Sequence, residues 1–207
     1  MENNKTFKYS VVTVIIAVIL WFAIFVLKLM NFWAETSLSI LLLVAMAFII
    51  KRDIFKIGKI KKRHVIVGVL SAIGLYILFY IGNIILGYIL PFKDAQMLSV
   101  YGNKSGTNQY LIGFLLLFLI GPGEELYWRG FIQKTLSKKF GENRGYIFAT
   151  IMYAAVHIVT GNLMLIIAAL VCGIFWGWIY KKEKSLVPII ISHAIWDLTI
   201  FVLLPLM

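Results

Sequence analysis

The chain has 207 residues, of which 61% are hydrophobic, and it carries a formal net charge of +11 at pH 7. A soluble domain is closer to half apolar, whereas several apolar runs here approach the ~20 residues that a membrane-spanning helix needs. The composition therefore excludes an ordinary soluble domain, and we predict a single membrane domain over residues 1–207. The one cysteine, Cys172, excludes an intrachain disulfide and a cysteine-based metal site.

The basic residues are placed where they would orient the chain in a membrane. Sixteen of the 20 Lys and Arg residues fall in the N-terminal tail and in segments 51–63, 134–144 and 181–184. An even number of predicted spans separates each of these places from the next, which is the positive-inside pattern of cytoplasmic loops. We expect a cytoplasmic N-terminus and a multi-pass protein of a bacterial plasma membrane. Its partner would be the lipid bilayer, including anionic lipid, and not nucleic acid.

Apolar runs in chain order predict an all-α bundle of about seven spans, or eight if one long run is split. The first run is longer than the ~7–15 residues of a signal-peptide core, so we expect it to be retained. The polar segment 91–109 would be the longest external loop, and it could either cover a site from outside or be mobile. The predicted spans cover about 10–30, 36–50, 65–90, 110–133, 145–159, 163–180 and 186–205.

Span four carries charges where a membrane span should have none, in GPGEELYWRG at 121–130. Glu125 and Arg129 are four residues apart on one helix face, so we predict a structural ion pair. Glu124 is rotated by about 100° from Glu125 and lacks this partner. A charge at bilayer depth costs at least ~3 kcal/mol. We therefore interpret Glu124 as a functional group facing a wet cavity, the alternative being an extra acid that simply faces water.

The residues just before Glu124 should disturb the helix. Pro122 lacks a backbone donor, and glycines are weak helix formers. We expect the helix to kink or restart at Gly121-Pro122-Gly123. A restart would place both glutamates in a first turn, where free N–H groups and the helix dipole stabilise anions. An ordinary proline kink is the alternative.

Two of the three histidines lie in predicted spans. A lone histidine such as His157 is more often a packing residue than a ligand. Asp197 follows His193 by four residues, and this pair could simply hold two helices together. A carboxylate behind an imidazole also fixes its tautomer and raises its basicity. Depths of roughly 10–20 Å from the cytoplasmic ends bring Glu124, His157 and His193 within reach of one mid-membrane pocket. We expect that pocket to open more readily to the cytoplasm.

A glutamate and two histidines can act in two related ways. They can hold a divalent metal such as Zn with an open position, which polarises a carbonyl and acidifies bound water. Alternatively, Glu124 is the general base on water, with His157 assisting and His193 donating to the oxyanion. Both arrangements hydrolyse an amide, and the residues alone do not choose between them.

Three motifs in this order resemble the CPBP intramembrane proteases: EELYWRG from Glu124, Tyr153-x-x-x-His157 and His193-x-x-x-Asp197. That family comprises the CAAX prenyl proteases and the bacteriocin-processing or bacteriocin-immunity proteins, also called the Abi family, which includes lysostaphin resistance protein A-like proteins. The resemblance covers about residues 110–205, which would be the catalytic core.

The resemblance implies a membrane endopeptidase that cuts a membrane peptide or protein. Glu124, His157 and His193 would be essential, whether as metal ligands or in a metal-free glutamate mechanism, and Asp197 would support His193. Two departures stand out. Tyr153 replaces the usual Phe, which adds a hydroxyl near His157. Asp197 stands where the prenyl-protease branch has Asn, which favours the bacterial branch over CAAX processing.

Two other functions suit the same residues. The first is a non-catalytic bacteriocin-immunity or regulatory membrane protein that keeps the motifs for structure. The second is a small proton-coupled transporter, since carboxylates and histidines in spans also suit a proton relay. Against the transporter, the sequence has no paired repeats with matching broken helices.

Overall fold

The structure, a computed structural model, describes residues 2–55, 57 and 59–206, and most of these residues are helical. Those residues form no strand, which agrees with the predicted all-α bundle. Lys56 and Gly58 of the predicted 51–63 linker lie outside the described residues. The principal helices are α1 (Glu2–Phe22, continued by a π-helical turn Ala23–Leu27), α2 (Phe32–Ile50), α3 (Lys62–Ile89), α4 (Lys93–Tyr101), α5 (Gln109–Phe140), α6 (Glu142–Ala155), α7 (Leu163–Glu183) and α8 (Val187–Leu203).

Five of the described helices, α1, α2, α3, α5 and α7, are long and apolar enough to cross a membrane. The other two predicted spans are shorter helices, α6 and the apolar α8. Large apolar side chains point outward along the long helices, including Ile19, Ile49 and Leu70, each at least 60% exposed. A water-soluble protein rarely exposes apolar surface on this scale. The helices and their outer surface indicate a multi-pass protein in a lipid bilayer.

Helix α5 is the centre of the bundle. It packs against α1, α2, α6, α7 and α8, and 56% of its apolar window is buried, compared with 17% for α3. The largest fully buried side chains include Tyr127, Trp128 and Phe131 of α5 and Trp176 of α7. The motif that carries Glu124 therefore lies on the most enclosed of the five candidate spans.

The expected restart at Pro122 is wrong, because α5 stays helical from Gln109 to Phe140. Instead, π-helical segments lie on either side, at Leu116–Ile120 and Leu126–Gln133. A wider π turn accommodates a proline and its missing donor without ending the helix. Glu124 is consequently held in the middle of a long helix, and not in the first turn of a new one.

The glycines beside Pro122 allow neighbouring helices to approach closely. A Cβ on Gly123 would collide with Ile40 of α2, and a Cβ on Gly121 would lie 3.3 Å from the backbone of Ala194 in α8. Side-chain-free positions let helix backbones pack tightly in a bilayer. These contacts fix α5 against α2 and α8 next to the two glutamates.

The polar segment 91–109 is attached to the rest of the bundle at two places. Its helix α4 is fastened to the start of α7, where Asn162 Nδ2 donates to the Gln96 carbonyl at 2.8 Å and the Met164 amide donates to Gln96 Oε1 at 3.0 Å. At the other end, the Leu206 amide donates to the Tyr101 hydroxyl at 3.1 Å. Tyr101 also lines the cavity described below, which supports a cover, and mobility of the segment stays a prediction.

Candidate active site

Glu125 of α5 contacts two other ionisable side chains in the protein interior. Its Oε1 accepts a hydrogen bond from Arg129 Nη1 at 2.8 Å and lies 2.8 Å from His193 Nδ1 on α8. Glu125 is fully buried, and the Arg129 guanidinium lies over the Tyr153 ring, 4.6 Å from its centroid. The structure thus contains the predicted i,i+4 pair and adds a contact to His193 that the helical spacing could not predict.

Both nitrogens of His193 face carboxylates. Nε2 lies 3.3 Å from Asp197 Oδ2, one helical turn along α8, while Nδ1 faces Glu125. A ring that carries a proton on both nitrogens can donate to both carboxylates. Trp176 stacks on the imidazole with ring centroids 3.8 Å apart, which fixes the ring plane. Sequence reasoning missed Trp176, since nothing in its apolar run marks it as a neighbour of the site.

Glu124 has a neutral partner. Its Oε2 accepts a hydrogen bond from the Tyr153 hydroxyl at 2.9 Å, and both side chains are buried. The hydroxyl was expected beside His157, but it lies on Glu124 because Tyr153 reaches from α6 towards α5. One oxygen of Glu124 is thereby fixed.

His157 lies in the turn that follows α6, just before the 3₁₀ turn Ile158–Thr160. Its Nδ1 is 2.8 Å from the Tyr153 carbonyl oxygen. A carbonyl only accepts, so Nδ1 carries the proton and Nε2 keeps its lone pair. The edge of the ring also packs against Trp21 of α1, with centroids 5.7 Å apart. Trp21 is a second neighbour that sequence reasoning missed, because α1 carries none of the motifs.

One cavity of about 330 Å³ brings the predicted site residues together. Its polar wall consists of Glu124, Tyr153, His157, His193 and Asp197. Glu125 and Arg129 lie behind this wall and do not line the cavity. Three helical regions of the chain, α5, the end of α6 and α8, therefore contribute to one buried site.

The rest of the cavity wall is largely apolar and extends away from the basic segments. It continues past Trp33 of α2 and Phe79 of α3 to Met97 and Tyr101 of α4 and to Leu206. Among the described residues, none from 51–63, 134–144 or 181–184 lines it. The cavity therefore extends towards segment 91–109 and not towards the basic segments for which a cytoplasmic position is predicted, so the expected opening on that side is not seen among the described residues.

The side chains do not form a metal site. Among the described residues, no group of three or more His, Cys, Asp or Glu side chains is arranged to hold a metal ion. The reason lies in His193, which directs both nitrogens at carboxylates. The contact of His157 Nδ1 with a carbonyl leaves its Nε2 free and is compatible with ligation. The predicted ligand set of Glu124, His157 and His193 does not fit a metal in this arrangement.

Residues 106–199 match a family model described as Rce1-like, type II CAAX prenyl endopeptidase. This segment is Rce1-like. The Rce1-like segment contains all three motifs, from Glu124 to Asp197, so the resemblance to the CPBP proteases is confirmed. The match supports a membrane protease in general. No curated protein and no solved structure matches the chain.

The Rce1-like segment starts after α4, so α1 to α4 lie ahead of it. These helices nevertheless supply part of the cavity wall, including Trp21, Trp33 and Phe79. The matched model carries the CAAX name, whereas Asp197 favours the bacterial branch over CAAX processing. Membership of that branch stays a prediction.

Proposed function

We propose that the protein is an intramembrane endopeptidase in which Glu124 activates a water molecule for attack on a peptide bond. The observation that supports this most is the shared cavity: Glu124, His157, His193 and Asp197 line it although they come from distant parts of the chain. The substrate would be a membrane peptide or protein, since the site lies on buried helices and its cavity is largely apolar.

Glu124 and His157 supply two acceptors for the attacking water. Glu124 Oε1 takes a proton from water as its oxygen bonds to the carbonyl carbon, and the carboxyl returns that proton to the leaving nitrogen when the C–N bond breaks. The lone pair on His157 Nε2 accepts the second water proton as a hydrogen bond and so orients the water. The Tyr153 hydroxyl holds the other glutamate oxygen at 2.9 Å, which limits the rotation of the base.

His193 supplies positive charge beside the reacting carbonyl. Held between Glu125 and Asp197, a doubly protonated ring stabilises the oxyanion electrostatically in a site screened from water. The longer of its two contacts, 3.3 Å to Asp197, is the one that a substrate oxygen would replace. Glu125 and Arg129 anchor the ring from behind, which makes them positioning residues.

Cleavage of a membrane peptide by the purified protein tests this proposal. The full chain in liposomes is given a set of fluorescence-quenched, membrane-anchored peptides, which includes prenylated and unmodified forms. Glu124→Gln should reduce kcat on the order of 10²–10⁴-fold while insertion and melting temperature stay unchanged. Glu142→Gln is the matched control, because Glu142 is an exposed glutamate at the start of α6 that pairs with Lys184.

The same variants separate the enzyme from its non-catalytic alternative. If Glu124→Gln cleaves as fast as the wild type, the proposed role of Glu124 is wrong. If the protein instead confers immunity to a bacteriocin that Glu124→Gln preserves in full, the immunity or regulatory function is favoured over proteolysis.

A further inference from the structure

A second cavity, of about 300 Å³, lies where the ends of α1, α2 and α5 meet. We call it the basic cavity, and among the described residues it shares none with the candidate active site. We propose that the basic cavity binds a phosphate group, presented by the headgroup of an anionic phospholipid. Its lining consists of Thr6, Ile50, Lys51, Arg52, Asp53, Thr135, Lys138 and Lys139.

The charges of the basic cavity favour an anion. Four cationic side chains and one carboxylate, that of Asp53, line it. Asp53 is partly engaged: Lys134 donates to its Oδ2 at 3.1 Å, whereas its Oδ1, 3.9 Å from Lys51 Nζ, has no hydrogen-bond partner among the described residues. The lining cations thus outnumber the acidic groups that could neutralise them, and a bound phosphate would supply the missing negative charge.

A buried hydroxyl without a partner points to the same ligand. Thr135 lines the basic cavity from α5 and is 4% exposed. Its Oγ1 has no hydrogen-bond partner among the described residues. Buried hydroxyls are nearly always paired in folded proteins. A phosphate oxygen in the cavity would accept this hydrogen bond, an argument that is independent of the charges.

Lys51 is poorly solvated in the basic cavity. Its side chain is only 14% exposed. Burial, together with the smaller effects of Lys138 and Lys134 and against the opposing effect of Asp53, lowers the pKa of Lys51 to about 8. An anion within reach of Nζ would favour the charged form again, so the side chain gains from occupancy of the site.

The location of the basic cavity indicates which molecule carries the phosphate. Lys51 directly follows Ile50, the last residue of the apolar helix α2. Thr135 follows the π-helical segment that ends at Gln133 in the membrane-spanning helix α5. These ends of apolar helices lie at the depth of lipid headgroups, and basic pockets on the cytoplasmic side of a membrane attract anionic lipid.

The test measures lipid binding by the purified full chain. The protein in detergent is titrated with fluorescent phosphatidylglycerol, with phosphatidylcholine as the zwitterionic comparison and inorganic phosphate as competitor. Lys51→Gln and Thr135→Val should each weaken phosphatidylglycerol binding by about fivefold. Lys182→Gln is the charge-matched control, because Lys182 is exposed at the end of α7 beside Trp178.

The arms distinguish the two sources of phosphate. Tight phosphatidylglycerol binding that millimolar inorganic phosphate does not displace identifies a lipid site. If inorganic phosphate displaces phosphatidylglycerol and Thr135→Val weakens the binding of both, the cavity is a phosphate site, but its ligand is a soluble phosphate compound. Equal weakening by Lys182→Gln, or unchanged binding in both Lys51→Gln and Thr135→Val, would overturn the proposal. Thr135→Val removes only a hydroxyl, so it remains informative if Lys51→Gln fails to fold.

Discussion

Tyr153 donates its phenolic hydrogen to Glu124 Oε2 at 2.9 Å, while its own carbonyl oxygen accepts from His157 Nδ1 at 2.8 Å. One residue therefore orients both the proposed base and the proposed water-orienting histidine. The CPBP proteases usually have Phe at this position. Phe has no hydroxyl, so the contact with Glu124 requires the Tyr of this sequence, whereas the contact with His157 uses a backbone carbonyl that any residue provides.

Replacing Tyr153 with Phe should lower kcat by about fivefold with little change in KM. The substitution keeps the ring that packs on Trp128 and removes one hydrogen bond, which is worth about 1 kcal/mol. Steady-state kinetics on a cleaved membrane peptide measure kcat and KM, and thermal unfolding checks that the variant is as stable as the wild type. An unchanged kcat would show that the hydroxyl has no role in orienting Glu124.

Prolonged dialysis against EDTA should leave peptide cleavage unchanged. The reason is the contact pattern of His193, since both of its ring nitrogens are directed at carboxylates and neither is free for a metal. Metal analysis of the purified protein accompanies the activity assay. Loss of activity that added Zn restores, together with loss of bound metal in His193→Ala, would show instead that Glu124, His157 and His193 rearrange around a metal.

Gly123→Ala should destabilise the protein by about 1–3 kcal/mol, because the new methyl group overlaps Ile40 of α2. Gly74→Ala in α3 is the matched control, since open space surrounds that position. Thermal unfolding in detergent measures both variants. Ile40→Ala in the Gly123→Ala background should recover part of the lost stability. Equal stability of Gly123→Ala and Gly74→Ala would show that α2 and α5 do not pack this closely.

Phosphatidylglycerol binding at the basic cavity should weaken as the pH rises. Lys51 has a pKa of about 8, and a bound phosphate raises that value. The charged form that binding needs is therefore complete below about pH 7 and is lost progressively above about pH 8. The total weakening is limited to about the fivefold expected for Lys51→Gln. A phosphodiester keeps its own charge across this range, so fluorescence titration from about pH 6 to pH 10 reports on the protein alone.

The other charged groups of the basic cavity define the control for this pH profile. Burial raises the pKa of Asp53, but the hydrogen bond from Lys134 and the charges of Lys51, Lys134 and Lys138 outweigh burial and lower it, so Asp53 stays ionised throughout. Lys51→Arg keeps the cation without its titration. The Lys51→Arg variant should bind phosphatidylglycerol with an affinity that depends less on pH. If its pH profile is identical to that of the wild type, the pH dependence arises from another group.

Sequence alone determined the features that repeat along a helix. Apolar runs of bilayer length must satisfy their backbone hydrogen bonds internally, so the helices follow from composition and length. The pairs Glu125–Arg129 and His193–Asp197 follow in the same way, because residues four apart share a face of any α-helix. The family match over residues 106–199 rests on the same local motifs.

Tertiary structure alone decided how those helices face one another. Glu125 meets His193 across 68 positions of the chain, and Tyr153 turns its hydroxyl to Glu124 and not to His157. The passage of α5 through Pro122 depends on tight contacts with α2 and α8, which no local propensity encodes. Helical periodicity fixes relations within one turn, whereas the rotation and depth of each helix result from the packing of the whole bundle. That packing commits both nitrogens of His193 to carboxylates and extends the site cavity away from the basic segments.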